Sequence, residues 1–374
     1  MRCLVALFFV ACFSRSFVLA APDKQVIATD LAGGYQVIFC DVNGDGKPDL
    51  LAVASGMPDL VWFENPNWER HVMASNLPHM INAACWQHGA HATPTIALAY
   101  EFSMQAKQSL GIVSILTANG DPRNPWKRTE IDRLPTSHRL RWADIDGSGN
   151  KVLINAPLTG AFAESPEFRG HVPLVYYRPG VWKRESIGDA EEGIQHGIFI
   201  DEWNSGRRDS ILIGSFLGIH LYQFLDGRWS RTEITKGDPA PWPKSGTSDV
   251  TVGRLRNERY LAAIEPWHGN EVVVYRQFAG AWRRDVIDSS LLDAHTIVTA
   301  DFNRDKQDDI VVGFRGKPYG IYTYHYDGHN WNRQILEQGE LAASGCTAAD
   351  FDGEGKVAIA CIGSATHNLI LYRK

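Results

Sequence analysis

The sequence predicts an all-β chain: a seven-bladed β-propeller of four-stranded blades, closed by an N-terminal strand that completes the last blade. Three observations predict it. The tripeptide Trp-x-Arg recurs six times, at Trp68-Glu69-Arg70, Trp126-Lys127-Arg128, Trp182-Lys183-Arg184, Trp229-Ser230-Arg231, Trp282-Arg283-Arg284 and Trp331-Asn332-Arg333, with 47 to 58 residues between successive copies. A second pattern, an alternating strand followed by an acidic turn and an apolar strand, recurs seven times. The two chain ends are complementary. Leu369-Ile370-Leu371-Tyr372 reads as a third strand with no Trp-x-Arg after it, and Lys24-Gln25-Val26-Ile27-Ala28 is a strand without a blade. One supersecondary unit repeated at such a period marks a repeat architecture, and short strands separated by turns at that spacing read as propeller blades. Two stacked sandwiches of the same strands are the alternative, but they explain neither the regular period nor the closing count.

Within a blade the elements follow one order. Gln36-Val37-Ile38-Phe39-Cys40 is the clearest inner strand, and the acidic turn at Asp41–Asp49 joins it to Leu50-Leu51-Ala52-Val53-Ala54. Other copies begin near His79, His138, His196, Asp249, His295 and Ser344. Third strands precede each Trp-x-Arg, as in Leu60-Val61-Trp62-Phe63-Glu64 and Val272-Val273-Val274-Tyr275. Trp-x-Arg opens the outer strand. Completing the last blade with the N-terminal strand removes an open edge, which would otherwise template aggregation.

Residues 1–20 read as a secretory signal: Met1-Arg2 is a positive start, Leu4 to Phe13 is apolar, and Val18-Leu19-Ala20 is a small-residue cleavage pattern,. The expectation is a protein secreted or periplasmic, with residues 21–374 forming one propeller domain. Phe9-Val10-Ala11-Cys12 resembles a lipoprotein cleavage box with Phe9 where leucine is usual, so lipid anchoring is the lesser expectation. No other apolar run is long enough to span a membrane. A net charge of -6 with no long basic run excludes nucleic acid and anionic membrane as natural partners,. Cys40, Cys85, Cys346 and Cys361 remain after the signal. They allow three disulfide pairings, or buried free thiols on inner strands.

Two constellations carry chemistry. Asp41, Asn43, Asp45 and Asp49, with Gly44 and Gly46 between them, place oxygen ligands at alternate positions of a tight loop, as calcium requires. Asp301, Asn303, Asp305 and Asp309 repeat the spacing, but Arg304 and Lys306 replace both glycines. Such loops resemble those of FG-GAP or VCBS-type propellers, where an ion stiffens a turn. The second constellation is histidine. His79, His138 and His295 stand six residues before the end of an inner strand or its acidic turn, and His196 stands five before. Tyr35, Asp249 and Ser344 take the same place in other blades. Strand starts in different blades converge on one axis, so these imidazoles form a candidate centre for a divalent metal (zinc, manganese or magnesium) or for acid–base work. His268, in a loop of the fifth blade, joins them.

Leu134-Pro135-Thr136-Ser137-His138-Arg139-Leu140, Gln195-His196, Glu265-Pro266-Trp267-His268-Gly269-Asn270-Glu271 and Asp293-Ala294-His295 resemble the propeller of the aldos-2-ulose dehydratase family. The resemblance implies dehydration of a keto-sugar such as 1,5-anhydrofructose or a glucosone. Family enzymes continue into cupin domains, whereas this sequence stops at Lys374, so the isomerising half of that reaction is not expected here. On this reading His138 and His196 are catalytic, and Arg139 holds a substrate oxygen. His138, His196, His268 and His295 hold the metal, and Tyr35, His79, Asp249 and Trp242 line the sugar site. Two other readings fit the same sequence: a calcium-stiffened propeller that binds glycan or protein without catalysis, and a polysaccharide lyase. The lyase requires Arg or Lys beside the metal to neutralise a uronate. Rings meeting in one cavity favour an enzyme; rings pointing into separate blades favour the binding module.

Overall fold

The computed structural model describes residues 23–374 apart from Ser205 and Asn257, so the expected signal segment lies outside the described residues. Among the described residues twenty-eight strands form seven four-stranded antiparallel sheets, and one 3-10 turn at Ala106–Gln108 interrupts them. No helix among the described residues is long and apolar enough to cross a membrane. The innermost strands of blades 1 to 7 are Gly34–Cys40, Asn82–Trp86, Ser137–Ala143, Gln195–Asp201, Asp249–Leu255, Ala294–Ala300 and Ala343–Ala349. Each packs against the innermost strands of both neighbouring blades, blade 7 against blade 1 included, so the ring is closed.

The second strands, such as Asp49–Ala54 and Asp309–Phe314, are buried along their whole length. Both faces of a blade press on a neighbour, so these strands need continuous apolar runs rather than alternation. The core therefore lies between blades. Leu51, Trp62 and Met73 of blade 1, for instance, share one cluster with Ile96, Leu98 and Leu116 of blade 2. Two disulfides settle the pairing that sequence left open. Cys40–Cys85 ties the innermost strands of blades 1 and 2, and Cys346–Cys361 ties the first two strands of blade 7.

Trp-x-Arg has a physical role in this packing. In blades 3 to 6 its arginine pairs with a carboxylate that also accepts the hydroxyl of a third-strand tyrosine. Asp132 holds Arg184 at 2.7 Å and Tyr177 at 2.6 Å. Glu191 holds Arg231 at 2.9 Å and Tyr222 at 2.7 Å. Glu265 serves Arg284 and Tyr275, and Asp288 serves Arg333 and Tyr324. Asp132, Glu191 and Asp288 each belong to the outer strand of the preceding blade, so these three units are clamps between blades. Blade 7 has no Trp-x-Arg. Its outer strand is the N-terminal Asp23–Ala28, paired antiparallel with Leu369–Arg373. There Lys24 takes the arginine's part, donating to Glu337 at 2.6 Å while the Tyr372 hydroxyl donates to the same carboxylate at 2.9 Å.

The acidic turns are fastened from within. Asp41 accepts the backbone N–H groups of Gly44, Asp45 and Gly46, and Asp49 accepts those of Val42 and Asn65. Arg304 and Lys306 adopt the left-handed backbone (φ 65° and 67°) that Gly44 and Gly46 adopt without a side-chain penalty,. The degenerate copy thus keeps the turn at the cost of two strained residues. Asp301 still accepts Asp305 and Lys306 N–H groups, and Asp309 receives His325 Nδ1 at 2.6 Å.

Two predictions follow from the clamps. Replacing Glu337 with alanine orphans the buried Tyr372 hydroxyl and loosens the closing strand, at a cost of about 1–3 kcal/mol in a urea unfolding curve. An unchanged midpoint would show that Lys24 and Glu337 do not close the ring. Glu191 gives a pH dependence. Burial pushes its carboxyl up, but His220 (3.2 Å away), Arg231 and the Ser215 hydroxyl outweigh that and bring it down to about 2. Its folded value lies below the ordinary 4.5, so its contribution is complete above pH 4.5 and is lost as pH falls toward 2,. Glu191→Gln flattens the acid limb of stability in that window, as read by circular dichroism.

Candidate functional site

The imidazoles are delivered by one local irregularity repeated around the ring. In blades 1, 3, 4, 6 and 7 the pairing between first and second strands shifts register across the second residue of the innermost strand. Those residues are Tyr35, His138, His196, His295 and Ser344. A bulge leaves its extra residue unpaired and re-aims its side chain, here toward the axis. Close approach of neighbouring blades makes this possible. A Cβ on Gly197 would come within 2.9 Å of Asp249 Cα and 3.0 Å of Ser248 O, so only glycine fits directly after His196.

His268 comes from the loop between the second and third strands of blade 5, as the sequence suggests. It adopts a left-handed backbone at φ 49°, its N–H donates to Ser248 Oγ, and the next residue, Gly269, is hydrogen-bonded to Pro266 and Ala294. The loop is thereby pinned to the start of blade 6.

Ring centroids of His138 and His196 lie 5.0 Å apart, His196 and His268 5.2 Å, His196 and His295 5.1 Å, and His268 and His295 5.1 Å. Ligand nitrogens of His196, His268 and His295 all fall within 4.8 Å of one another. His138 stands beside this trio rather than in it. Its Nε2 shares a 2.8 Å hydrogen bond with the Tyr35 hydroxyl, and its ring packs on Phe102. Of the four histidines expected to hold a metal, three stand together, and His138 is coupled to Tyr35.

Hydrogen-bond partners set the tautomers. Backbone carbonyls can only accept, so His196 Nδ1–H donates to Ser248 O and His295 Nδ1–H donates to Ser344 O at 2.6 Å. Ser248, not Asp249, therefore holds in blade 5 the place that Ser344 holds in blade 7. His196 Nε2 accepts from Arg139 Nη2 at 3.3 Å. His268 Nδ1 accepts from Arg315 Nη2 at 3.2 Å, with Asp293 3.5 Å from the same nitrogen. Nε2 of His268, Nε2 of His295 and Nδ1 of His138 are buried with no hydrogen-bond partner among the described residues. Burial, then the Arg139 charge, holds His138 and His196 well below the usual imidazole range. Burial, then Arg315, does the same to His295 and takes His268 down to about 3. All four rings are neutral at physiological pH and present lone pairs.

A cavity of about 450 Å³ runs along the axis from Tyr35, His295 and Ser344 at the strand starts to Phe39, Ile200 and Ala348 near their ends. Arg139, Arg141 and Asp249 line it. His138, His196 and His268 are not part of this lining; His138 meets it through its hydrogen bond to Tyr35, and His196 through its contacts with Arg139. Two expected sugar contacts are corrected. His79 is exposed on a left-handed turn (φ 53°), three residues before blade 2's innermost strand, which starts with Asn82 instead. Trp242 is spent on loop packing: its N–H donates to Glu167 O, Arg169 covers its face and Phe216 meets its edge. The acidic turns follow the other ends of the innermost strands, roughly 20 Å from the imidazoles at the rise of an extended chain, so their oxygens take no part in this centre. Sequence reasoning missed Arg141, Arg315 and Asp293. Arg141 was the findable one, since strand periodicity puts it on the face of Arg139.

The family model for the aldos-2-ulose dehydratase β-propeller domain matches residues 110–278, a segment that holds His138, Arg139, Arg141, His196, Asp249 and His268 but neither Tyr35 nor His295. Aldos-2-ulose dehydratase of Phanerodontia chrysosporium is 25% identical over 279 residues, which cover 66% of this chain and 31% of that protein. The chain is thus a seven-bladed propeller similar to the propeller domain of aldos-2-ulose dehydratase, and it spans about a third of that relative's length.

Proposed function

We propose that the axial cavity eliminates water from a keto-sugar such as 1,5-anhydrofructose or a glucosone, with a divalent metal held by His196, His268 and His295. The carrying observation is the convergence of neutral imidazoles beside one end of the cavity, which His295 lines, with buried, unpartnered Nε2 atoms on His268 and His295. Rings meeting in this way argue against the purely binding propeller. The donor set suits zinc or manganese. His196 and His295 already give Nδ1–H to backbone carbonyls, the outer contact that orients a ligating histidine. His268 would ligate through Nε2 once its proton moves to Nδ1, beside Asp293.

A bound divalent ion supplies Lewis-acid polarisation of the ketone oxygen. The chain's own groups do the rest. Removal of the hydrogen next to the ketone places negative charge on the carbonyl oxygen, and Arg139, anchored by its Nε on His196 O, would turn its terminal N–H groups from His196 Nε2 toward that oxygen,. The Tyr35–His138 pair reaches the cavity as a proton relay: the hydroxyl faces the substrate and the imidazole behind it takes or returns the proton. Asp249, pushed by burial up to about 6 despite both guanidiniums, is poised to protonate the departing hydroxyl. Arg139 beside His196 is also the feature that elimination from a uronic acid requires, so that lyase chemistry is the second reading.

Calcium in the acidic turns is proposed only as a stiffener, because those turns already close on their own backbone. Export is supported by the two disulfides, which persist in oxidising compartments. The test joins metal analysis to an enone absorbance assay on 1,5-anhydrofructose. The expected results are one zinc or manganese per chain, metal loss in His295→Ala, and roughly a hundredfold or greater rate loss in His138→Ala and Tyr35→Phe. No enone with either metal added removes the dehydratase proposal for that substrate.

A further inference from the structure

The cavity's charge is out of keeping with the protein. The chain carries a net charge of -6, yet the cavity is lined by Arg139, Arg141 and Lys151 against a single carboxylate, Asp249. All three cations come from blade 3. Among the described residues no carboxylate oxygen lies within 4.0 Å of any of them. Arg139 uses Nε and one terminal nitrogen on His196. Arg141 uses only Nη1, on Leu140 O at 2.8 Å and Asn82 Oδ1 at 3.4 Å. The remaining N–H groups of both arginines meet no protein acceptor among the described residues. Burial and the neighbouring Arg139 charge push Arg141 down to about 10, which records how poorly this charge is compensated. The shallower arginines of the blade clamps, Arg231 and Arg284, are by contrast each paired with a buried carboxylate. Removing a charge from water without a partner is costly, so an unpaired guanidinium facing a cavity calls for an anionic ligand.

We propose that Arg141, with Arg139, forms an anion subsite in the channel, so that the substrate carries a carboxylate or phosphate group on its sugar ring. The inference rests on the reading that this cavity is the substrate site, and it departs from the neutral keto-sugars named there by adding an acidic group to the sugar. Arg139 and Arg141 are alternate residues on one strand, about 7 Å apart along it. A ring whose reacting end meets Tyr35 and His295 therefore directs an acidic substituent toward Arg141. Planar guanidinium groups suit both carboxylate and phosphate oxygens.

Calorimetric titration of the zinc-loaded full-length protein with glucose, glucuronate and glucose 6-phosphate tests this. One or both acids should bind roughly tenfold or more tightly than glucose, with a preference that shrinks as salt rises. Which acid wins identifies the group. Arg141→Met should abolish the preference, Arg141→Lys should keep most of it, and zinc content should be unchanged in both, which separates this claim from the metal proposal. Equal binding of the three sugars, or a preference that survives in Arg141→Met, overturns it. Enone formation from a neutral ketose at the full rate, with no response to charge, would overturn it while leaving the dehydratase reading intact.

Discussion

Everything at the axis depends on the ring being closed. Tyr35 and His295 lie 260 residues apart in sequence, yet their rings pack at 5.1 Å because blade 7 sits between blades 6 and 1. Blade 7 is complete only because a strand from the far end of the chain pairs with it, and Lys24, Glu337 and Tyr372 reproduce there the clamp that Trp-x-Arg arginines make elsewhere. A propeller opened at that seam would still have seven sheets, but the contacts of blade 7 with blade 1 would be gone. The hydrogen bond from Ser344 Oγ to Gly34 O crosses that same seam at 2.6 Å. Stability and site geometry are therefore one problem in this fold.

The architecture was legible because it is repeated. Period, strand order and the orphan strand at Lys24–Ala28 are properties of pattern, and seven noisy copies reinforce one another. The Trp-x-Arg motif located the outer strands but not its own purpose. Its partners, Asp132, Glu191 and Asp288, lie 40 to 52 residues away, and an acidic residue at that distance carries no local mark. The Cys40–Cys85 pairing was illegible for a similar reason, since it depends on which innermost strands become neighbours.

The site was legible to the extent that it follows the repeat. His138, His196 and His295 share a strand position, and the bulge there treats them alike. His79 broke the rule because blade 2 starts its innermost strand later, at Asn82, whose side chain instead accepts the Leu140 N–H at 2.8 Å across the blade boundary. Trp242 was picked for being aromatic in a proline-rich loop, and the loop turned it toward Phe216. Distinctions among the histidines were beyond sequence altogether. Whether a ring ligates or relays depends on which nitrogen a neighbouring carbonyl or guanidinium occupies.

Arg139 is where these features meet. Burial depresses all four imidazoles most, and the Arg139 charge adds to it in each, so it helps to keep them neutral. The same charge repels a divalent cation in a low-dielectric setting. It also occupies His196 Nε2, the nitrogen that a metal would need. A centre that prepares its ligands with a guanidinium thus opposes the ion those ligands would hold, unless something draws the guanidinium away or neutralises it. The proposed anionic substrate group between Arg139 and Arg141 would do both. Metal and substrate would then favour each other's binding, because each relieves a cost the other faces alone, and such coupling must be reciprocal. The cation-lined channel and the imidazole cluster are on this view two halves of one device, joined at a single arginine.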